Sequence, residues 1–358
     1  MTYFRPNVNA LSAYVPGEQP SPGTKVIKLN TNENPYPPSP QALQVLHELE
    51  GELLRRYPDP MANAFCQAAS QVLGVPTDWI LAGNGSDDLL TMIIRACTEP
   101  GRKVVYPMPT YVLYRTLAEI QNAETFEVPY PEDYSLPIEQ LIAAQGAVTF
   151  IASPNSPSGT LVPKELLDKL ASQLSGVLVI DEAYTDFAET NALELVNKHE
   201  NVIVLRTLSK GYSLAGLRLG FGIANPSLLS GLIKVKDSYN VDAIACAVGA
   251  AAIADQNHKK NNTQKVEKER TRMTTALQEL GFHVWPSQAN FLLAGVSKKF
   301  LEKSALDNAE SLYQLLKNQG ILVRYFKQPR LADKLRITIG TPEQNEMLIL
   351  ALTQVVKM

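Results

Sequence analysis

The chain has 358 residues, 45% hydrophobic and 19% charged, with a formal net charge of -3. That length accommodates one large domain and a smaller one around a substantial core. A near-balanced charge with no basic block gives no electrostatic basis for binding nucleic acid or an anionic membrane. No apolar run approaches the ~20 residues of a membrane span, and MTYFRPNVNALSAYVPGEQP lacks the basic-then-apolar pattern of a secretory signal. The three cysteines, Cys66, Cys97 and Cys246, are scattered without metal-ligand spacing. They read as buried thiols of a reducing compartment, so a cytoplasmic protein is expected.

Residues 1–40 contain NTNENPYPPSP, too dense in proline for regular structure, and read as an extended arm. From residue 41 helical stretches alternate with apolar, β-branched runs: KVVYP (103–107), AVTFIAS (147–153), GVLVID (176–181), NVIVLRT (201–207) and LGFGIA (219–224). Near-continuous apolarity suits strands covered on both faces of a mostly parallel sheet. Among the helices, VPKELLDKLASQL sets Leu166, Leu167, Leu170 and Leu174 on one face, with Pro163 in the first turn. The alternation predicts an α/β domain over 41–255.

Residues 256–358 change texture and predict a smaller α+β domain. Val266, Met273, Leu277 and Leu280 recur at helical spacing, Gly281 suits the stop, and the intervening charges form a solvated face. A strand (NFLLAGV), a helix from Asp307 and a strand pair (GILVRYF, KLRITIG) follow. The last helix opens with a capping box, Thr341 with Gln344, and Pro342 in its first turn.

Chemistry concentrates at the ends of the predicted strands. In LAGNGSDDLLTMIIRA (81–96), Gly83, Asn84 and Gly85 lead to Ser86 as N-cap and then an apolar helix. Such a turn is often only a turn, but it also lets backbone N–H groups converge on an anion. It matches neither of the common nucleotide-binding glycine patterns. Tyr111 of PMPTYVLY either packs in the core or lies over a planar ligand. ASPNSPSGT delivers the amide of Asn155 to a strand end, where open α/β sheets bind ligands. In VLVIDEAYTDF, Asp181 emerges from a buried strand and needs a partner. An ordinary ion pair or hydrogen bond satisfies it, and so does the protonated pyridine nitrogen of an electron-sink cofactor. Tyr184 then stands in reach of a phenolic oxygen on the same ring. RTLSKGYSLAGLR (206–218) brings Thr207, Ser209, Lys210 and Arg218 to one segment. A lysine there can form a Schiff base with an aldehyde and carry protons once released, and Arg218 offers a bidentate phosphate donor.

Taken in order, NENP, GNGSDD, PTY, SPNSPSGT, DEAY and TLSKGYSLAGLR resemble the fold type I pyridoxal-phosphate aminotransferases over most of the chain, to LRITIGT. The resemblance implies an α/β cofactor domain with a mostly parallel seven-stranded sheet flanked by helices, a smaller C-terminal α+β domain and an N-terminal arm. It implies pyridoxal 5′-phosphate as cofactor, with Lys210 as covalent anchor and proton carrier and Asp181 on the pyridine nitrogen. Asn155 and Tyr184 would bond the ring oxygen, and Tyr111 would stack on the ring. Gly85, Ser86, Asp87, Thr207, Ser209 and Arg218 would hold the phosphate. Tyr57 of RYPDP would reach the partner's phosphate across a homodimer interface.

Within that superfamily the arm LSAYVPGE, together with RYPDP, ILVRYF and LRITIGT, is most similar to the histidinol-phosphate aminotransferases. This implies a phosphate-bearing amine bound by Tyr14, Asn155, Arg324 and Arg336, with 2-oxoglutarate as acceptor and no metal. Arg336 also fits its surroundings as a cation inside an apolar strand, where a lone charge is costly. Transamination of aromatic amino acids and phosphothreonine-type decarboxylation remain as alternatives. Two departures stand out: GSDD where relatives often read Ser-Asp-Glu, and Gly211 after Lys210 where alanine or a bulkier residue is common.

Overall fold

The apolar runs pair into one sheet in the computed structural model, which describes residues 3–12, 17–20, 23, 25–302, 304 and 306–357. After a short strand β1 (Ile27–Lys28) come β2 (Ile80–Asn84), β3 (Lys103–Met108), β4 (Glu124–Pro129) and β5 (Val148–Ala152). Then follow β6 (Val177–Asp181), β7 (Val202–Thr207) and β8 (Leu219–Ala224). The seven strands from β2 onward lie in the order β2-β8-β7-β6-β5-β3-β4. All pairings are parallel except those of β8, which is antiparallel to both neighbours. The mostly parallel seven-stranded sheet that the resemblance implied is therefore present.

Alternate residues of the central strands enter opposite apolar clusters. Ile151, Leu178, Ile180, Val202 and Val204 face one cluster, and Phe150, Val179, Ile203 and Leu205 face the other. Two covered faces explain why these strands read as continuous rather than alternating apolar runs. Each fully buried Leu, Ile or Val contributes roughly 1.5–3 kcal/mol over leaving it exposed. β4, which lies at the sheet edge and is buried only at Val128, was not foreseen, and β2 merges into the glycine turn.

The remaining strands are β9 (His283–Val284), β10 (Phe291–Gly295), β11 (Ile321–Leu322), β12 (Arg324–Tyr325) and β13 (Lys334–Thr338). An antiparallel sheet runs β12-β13-β10-β9, while β11 pairs in parallel with β1. Helix Gln256–Glu279 lays Val266, Met273 and Leu277 into this unit's core. In the last helix (Pro342–Lys357), Thr341 N–H donates to Gln344 Oε1 at 3.0 Å and Gln344 N–H to Thr341 Oγ at 3.3 Å, the reciprocal box expected.

The arm carries more structure than its prolines suggested. Pro6 opens a short helix (Pro6–Ala10), where its missing N–H is no loss. Leu29 is buried in the core of the smaller unit, and its carbonyl accepts from Thr338 N–H at 2.9 Å. Ser86 is also one position off: it is the first helical residue of Ser86–Cys97, and Gly85 is the N-cap at φ 76°. Cys66 and Cys246 are buried and Cys97 is half-buried, all as free thiols. Among the described residues no helix is long and apolar enough to cross a membrane.

Candidate active site

The carboxyl ends of β2, β5, β6 and β7 and the start of β8 meet at one edge of the large sheet. A cavity of about 300 Å³ opens there against the smaller unit. Its sheet side carries Ser86, Asp87, Tyr111, Asp181, Tyr184, Thr207, Ser209, Lys210 and Arg218. Its other side carries Arg324, Phe326 and Arg336, and Asn30, Thr31 and Asn32 of the arm also line it. Residues far apart in sequence thus converge because parallel strands deliver their ends to one side.

Asp181 ends β6 and is 5% exposed. The Tyr114 hydroxyl donates to its Oδ2 at 2.7 Å, and the Ala183 N–H donates to Oδ1 at 3.1 Å. Burial pushes the carboxyl up to about 6, working against the two donors, which favour the charged form. Among the described residues no ion pair neutralises Asp181, so the ordinary salt bridge is not its partner.

Lys210 lies just beyond β7, with Nζ 3.4 Å from the Thr31 carbonyl and 5.9 Å from the centre of the Tyr184 ring. Tyr184 accepts a hydrogen bond from Asn32 Nδ2 at 2.9 Å. Asn32 is itself held from three sides: its N–H donates to Thr338 Oγ, its Oδ1 accepts from that hydroxyl, and its carbonyl accepts from Asn290. The residue sits at φ 56°, a conformation asparagine tolerates better than most.

Gly85 and Arg218 form a cradle. A Cβ on Gly85 would stand 2.5 Å from Arg218 Nη2, and the residue's φ of 76° itself favours glycine, so the guanidinium lies close against bare backbone. Arg218 Nη2 lies 3.3 Å from Asp87 Oδ2, and Tyr111 donates to Asp87 Oδ1 at 3.0 Å. Thr207 donates to Ser209 Oγ at 3.0 Å. With the open first turn of helix Ser86–Cys97, this set can hold a phosphate.

Asn155 lies behind the cavity wall. It is fully buried and is not among the residues that line the cavity. Its amide donates to Ser158 Oγ at 2.9 Å and to the Pro109 carbonyl at 3.3 Å, while its oxygen accepts from Thr110 at 2.7 Å. Both amide hydrogens are spent on bracing the turn. The adjacent Ser156 lines the cavity instead, and its hydroxyl accepts from Arg336 Nη1 at 3.1 Å. Arg336 Nη2 also donates to the Asn30 carbonyl at 3.0 Å.

Arg324 and Arg336 face each other as register partners across β12 and β13. Their guanidinium carbons lie 5.4 Å and 5.6 Å from the ring of Phe326. Tyr57 stands apart from the cavity, 81% exposed and stacked on Tyr239 at 4.5 Å. Tyr14 falls outside the described residues. Tyr114, Asn32 and Ser156 were missed as site residues, although each lies in or beside a quoted motif.

Residues 24–352 match the family described as Aminotransferase class I and II. Over 355 residues the chain is 64% identical to histidinol-phosphate aminotransferase 1 of Trichormus variabilis, covering 99% of each. The chain belongs to the histidinol-phosphate aminotransferase family. A member of that family from Rhodopirellula baltica is 44% identical, over 97% of this chain and 94% of the relative. Among solved structures, the histidinol-phosphate aminotransferase of Sinorhizobium meliloti, in complex with pyridoxal 5′-phosphate, aligns with a TM-score of 0.89 at 28% identity. That alignment covers 100% of this chain and 98% of that one.

Proposed function

We propose that the chain transfers the amino group of L-histidinol phosphate to 2-oxoglutarate, giving imidazole acetol phosphate and glutamate in histidine biosynthesis. The observation that carries the substrate reading is the opposition of Arg324 and Arg336 at the cavity wall. Like charges directly across an antiparallel pair are destabilising. A dianionic phosphate between them relieves that repulsion and accepts several charge-assisted hydrogen bonds.

The residues present fit pyridoxal 5′-phosphate. When bound, this cofactor supplies an aldehyde that takes up the amine and a ring that accepts electron density from Cα. The phosphate cradle is Gly85, Ser86, Asp87, Thr207, Ser209 and Arg218, with Tyr111 against the ring. Asp181 would accept the ring N–H; its burial and the absence of an ion-pair partner among the described residues support that role. Because Asn32 donates to the Tyr184 oxygen, the Tyr184 O–H is left to donate to the ring oxygen. Lys210 would hold the aldehyde carbon and would carry the proton of the substrate Cα, a role that typically contributes ~10²–10⁴ in rate. Asn155 acts as a brace for this wall.

The assembly proposed is a cytoplasmic homodimer. Each chain is divided into an arm (1–40), a cofactor domain (41–255) and a small domain (256–358). Exposed Leu43, Leu46, Leu53, Leu54 and Tyr57 support an interface on that side of the cofactor domain.

Purified holoprotein mixed with histidinol phosphate and 2-oxoglutarate is expected to form glutamate. Turnover of phenylalanine or tyrosine without turnover of histidinol phosphate would replace the substrate reading with the aromatic one. Release of carbon dioxide would point to a decarboxylase.

A further inference from the structure

Tyr114 enters the helix Leu113–Ile120 one position after its start and is fully buried. Its ring stacks on Phe150 at 4.6 Å with a 7° interplanar angle, and Tyr111 meets it edge-on at 5.6 Å. A phenylalanine would fill that volume without burying a hydroxyl, which is costly unless bonded. The hydroxyl's bond goes to Asp181 Oδ2 at 2.7 Å. Burial, and then the neighbouring carboxylate, raise the phenol well above its ordinary range, so it stays protonated and serves only as a donor to Asp181.

We propose that Tyr114 is a positioning residue whose hydroxyl holds the Asp181 carboxylate in the orientation that receives the cofactor's ring nitrogen. The inference rests on the pairing of Asp181 with that nitrogen proposed above. With Ala183 N–H on Oδ1 and Tyr114 on Oδ2, each carboxylate oxygen has one fixed donor and the side chain cannot turn away. The aromatic stack makes the donor itself rigid, so the restraint reaches Asp181 from a different secondary element than its own strand.

The test is Tyr114→Phe in the full-length protein, which keeps the stack and removes only the hydroxyl. Two quantities are read: the dissociation constant of pyridoxal 5′-phosphate, by titration of the cofactor-free protein, and kcat against KM in the loaded protein. A hydrogen bond to a charged group is expected to show as about a tenfold weakening of cofactor binding and about a tenfold fall in kcat, with KM for the amine unchanged. Binding and kcat at wild-type values would overturn the proposal. Phe150→Leu, which loosens the stack but keeps the hydroxyl, is expected to lower the melting temperature with cofactor affinity within about twofold of wild type. A tenfold loss there too would assign Tyr114 to packing. Asp181→Asn and the double variant separate the two readings. If Tyr114 acts through Asp181, Tyr114→Phe adds little once Asp181 is replaced; additive losses overturn the inference. If Asp181→Asn is itself silent, the ring-nitrogen reading fails and the Tyr114 role falls with it. If Asp181→Asn is impaired while Tyr114→Phe is silent, only the Tyr114 role fails.

Discussion

On the sheet side of the cavity, Asp181, Tyr114 and Asn155 are exposed by 5% or less, and each is bonded to groups from other elements. On the opposite side, Arg324 and Arg336 are half-buried, and Arg324 comes from a strand of two residues. The first wall is assembled by strand ends that the core already fixes, so its geometry is set before any ligand arrives. The second wall holds two cations opposite one another. In the proposed function, bond-making chemistry falls to the buried wall and recognition of the substrate's far end to the half-buried one. A family can change substrate by altering the second wall while leaving the first alone.

Substitutions on both walls probe that contrast. The largest loss is expected from Lys210→Ala on the sheet wall: turnover should fall by at least ~10²–10⁴, and near-normal steady-state activity would break the assignment of the chemistry to that wall. Next comes Arg336→Ala on the other wall. Its effect should appear in KM for the phosphorylated amine, about 10- to 100-fold, as expected for lost charge-assisted bonds. Arg324→Ala should raise KM less, because Arg336 alone is tied to Asn30 and Ser156. A loss confined to kcat would contradict the division between the walls.

Asp181 tests the same contrast through pH. Its folded pKa of about 6 lies above the unfolded value, so between roughly pH 4 and 6 the folded state binds the extra proton. The unfolding free energy contributed by this group therefore falls as pH rises through that window and stays low above it. Cofactor-free wild type is expected to lose on the order of 3 kcal/mol relative to Asp181→Asn between pH 4 and 7, measured by denaturant titration. Parallel curves for the two proteins would remove the buried, unneutralised charge from the account.

The smallest effect concerns the departure at Gly211. A Cβ there would meet Asp186 Oδ2 at 2.3 Å and Asp186 Cβ at 2.5 Å, and Asp186 is held by Lys259 at 3.0 Å. Gly211→Ala is expected to cost about 1–3 kcal/mol by overpacking, read as a lowered denaturation midpoint, with KM unchanged. The glycine after Lys210 is thus explained by the carboxylate that occupies its side-chain space.

Much of the sheet wall was legible because buried strands leave uninterrupted apolar runs, and a charged residue at the end of such a run, like Asp181 or Lys210, marks a site. Asn155 and Ser156 were not separable in the same way. They are neighbours in a proline-rich turn, and which of the two faces the cavity depends on backbone torsions that composition does not encode. Tyr114 reads as a core aromatic, and it is one; only the partner of its hydroxyl, 67 residues away, gives it a role. Asn32 was hidden by its prolines, since its work depends on Thr338 and Asn290, far along the chain.

The reversed strand β8 has a consequence for the segment between Thr207 and Leu219. Leu208 N–H donates to the Leu219 carbonyl at 3.0 Å, closing the segment at its base, and Leu214 N–H folds back onto the Leu208 carbonyl at 3.1 Å. Lys210 and Arg218 therefore ride on a single clasped loop, which in the proposed function would work as a gauge for the separation between two ends of one rigid small molecule. Side chains along it can change where they face solvent. On that proposal its residue count is constrained, because one residue gained or lost would shift Lys210 relative to Arg218.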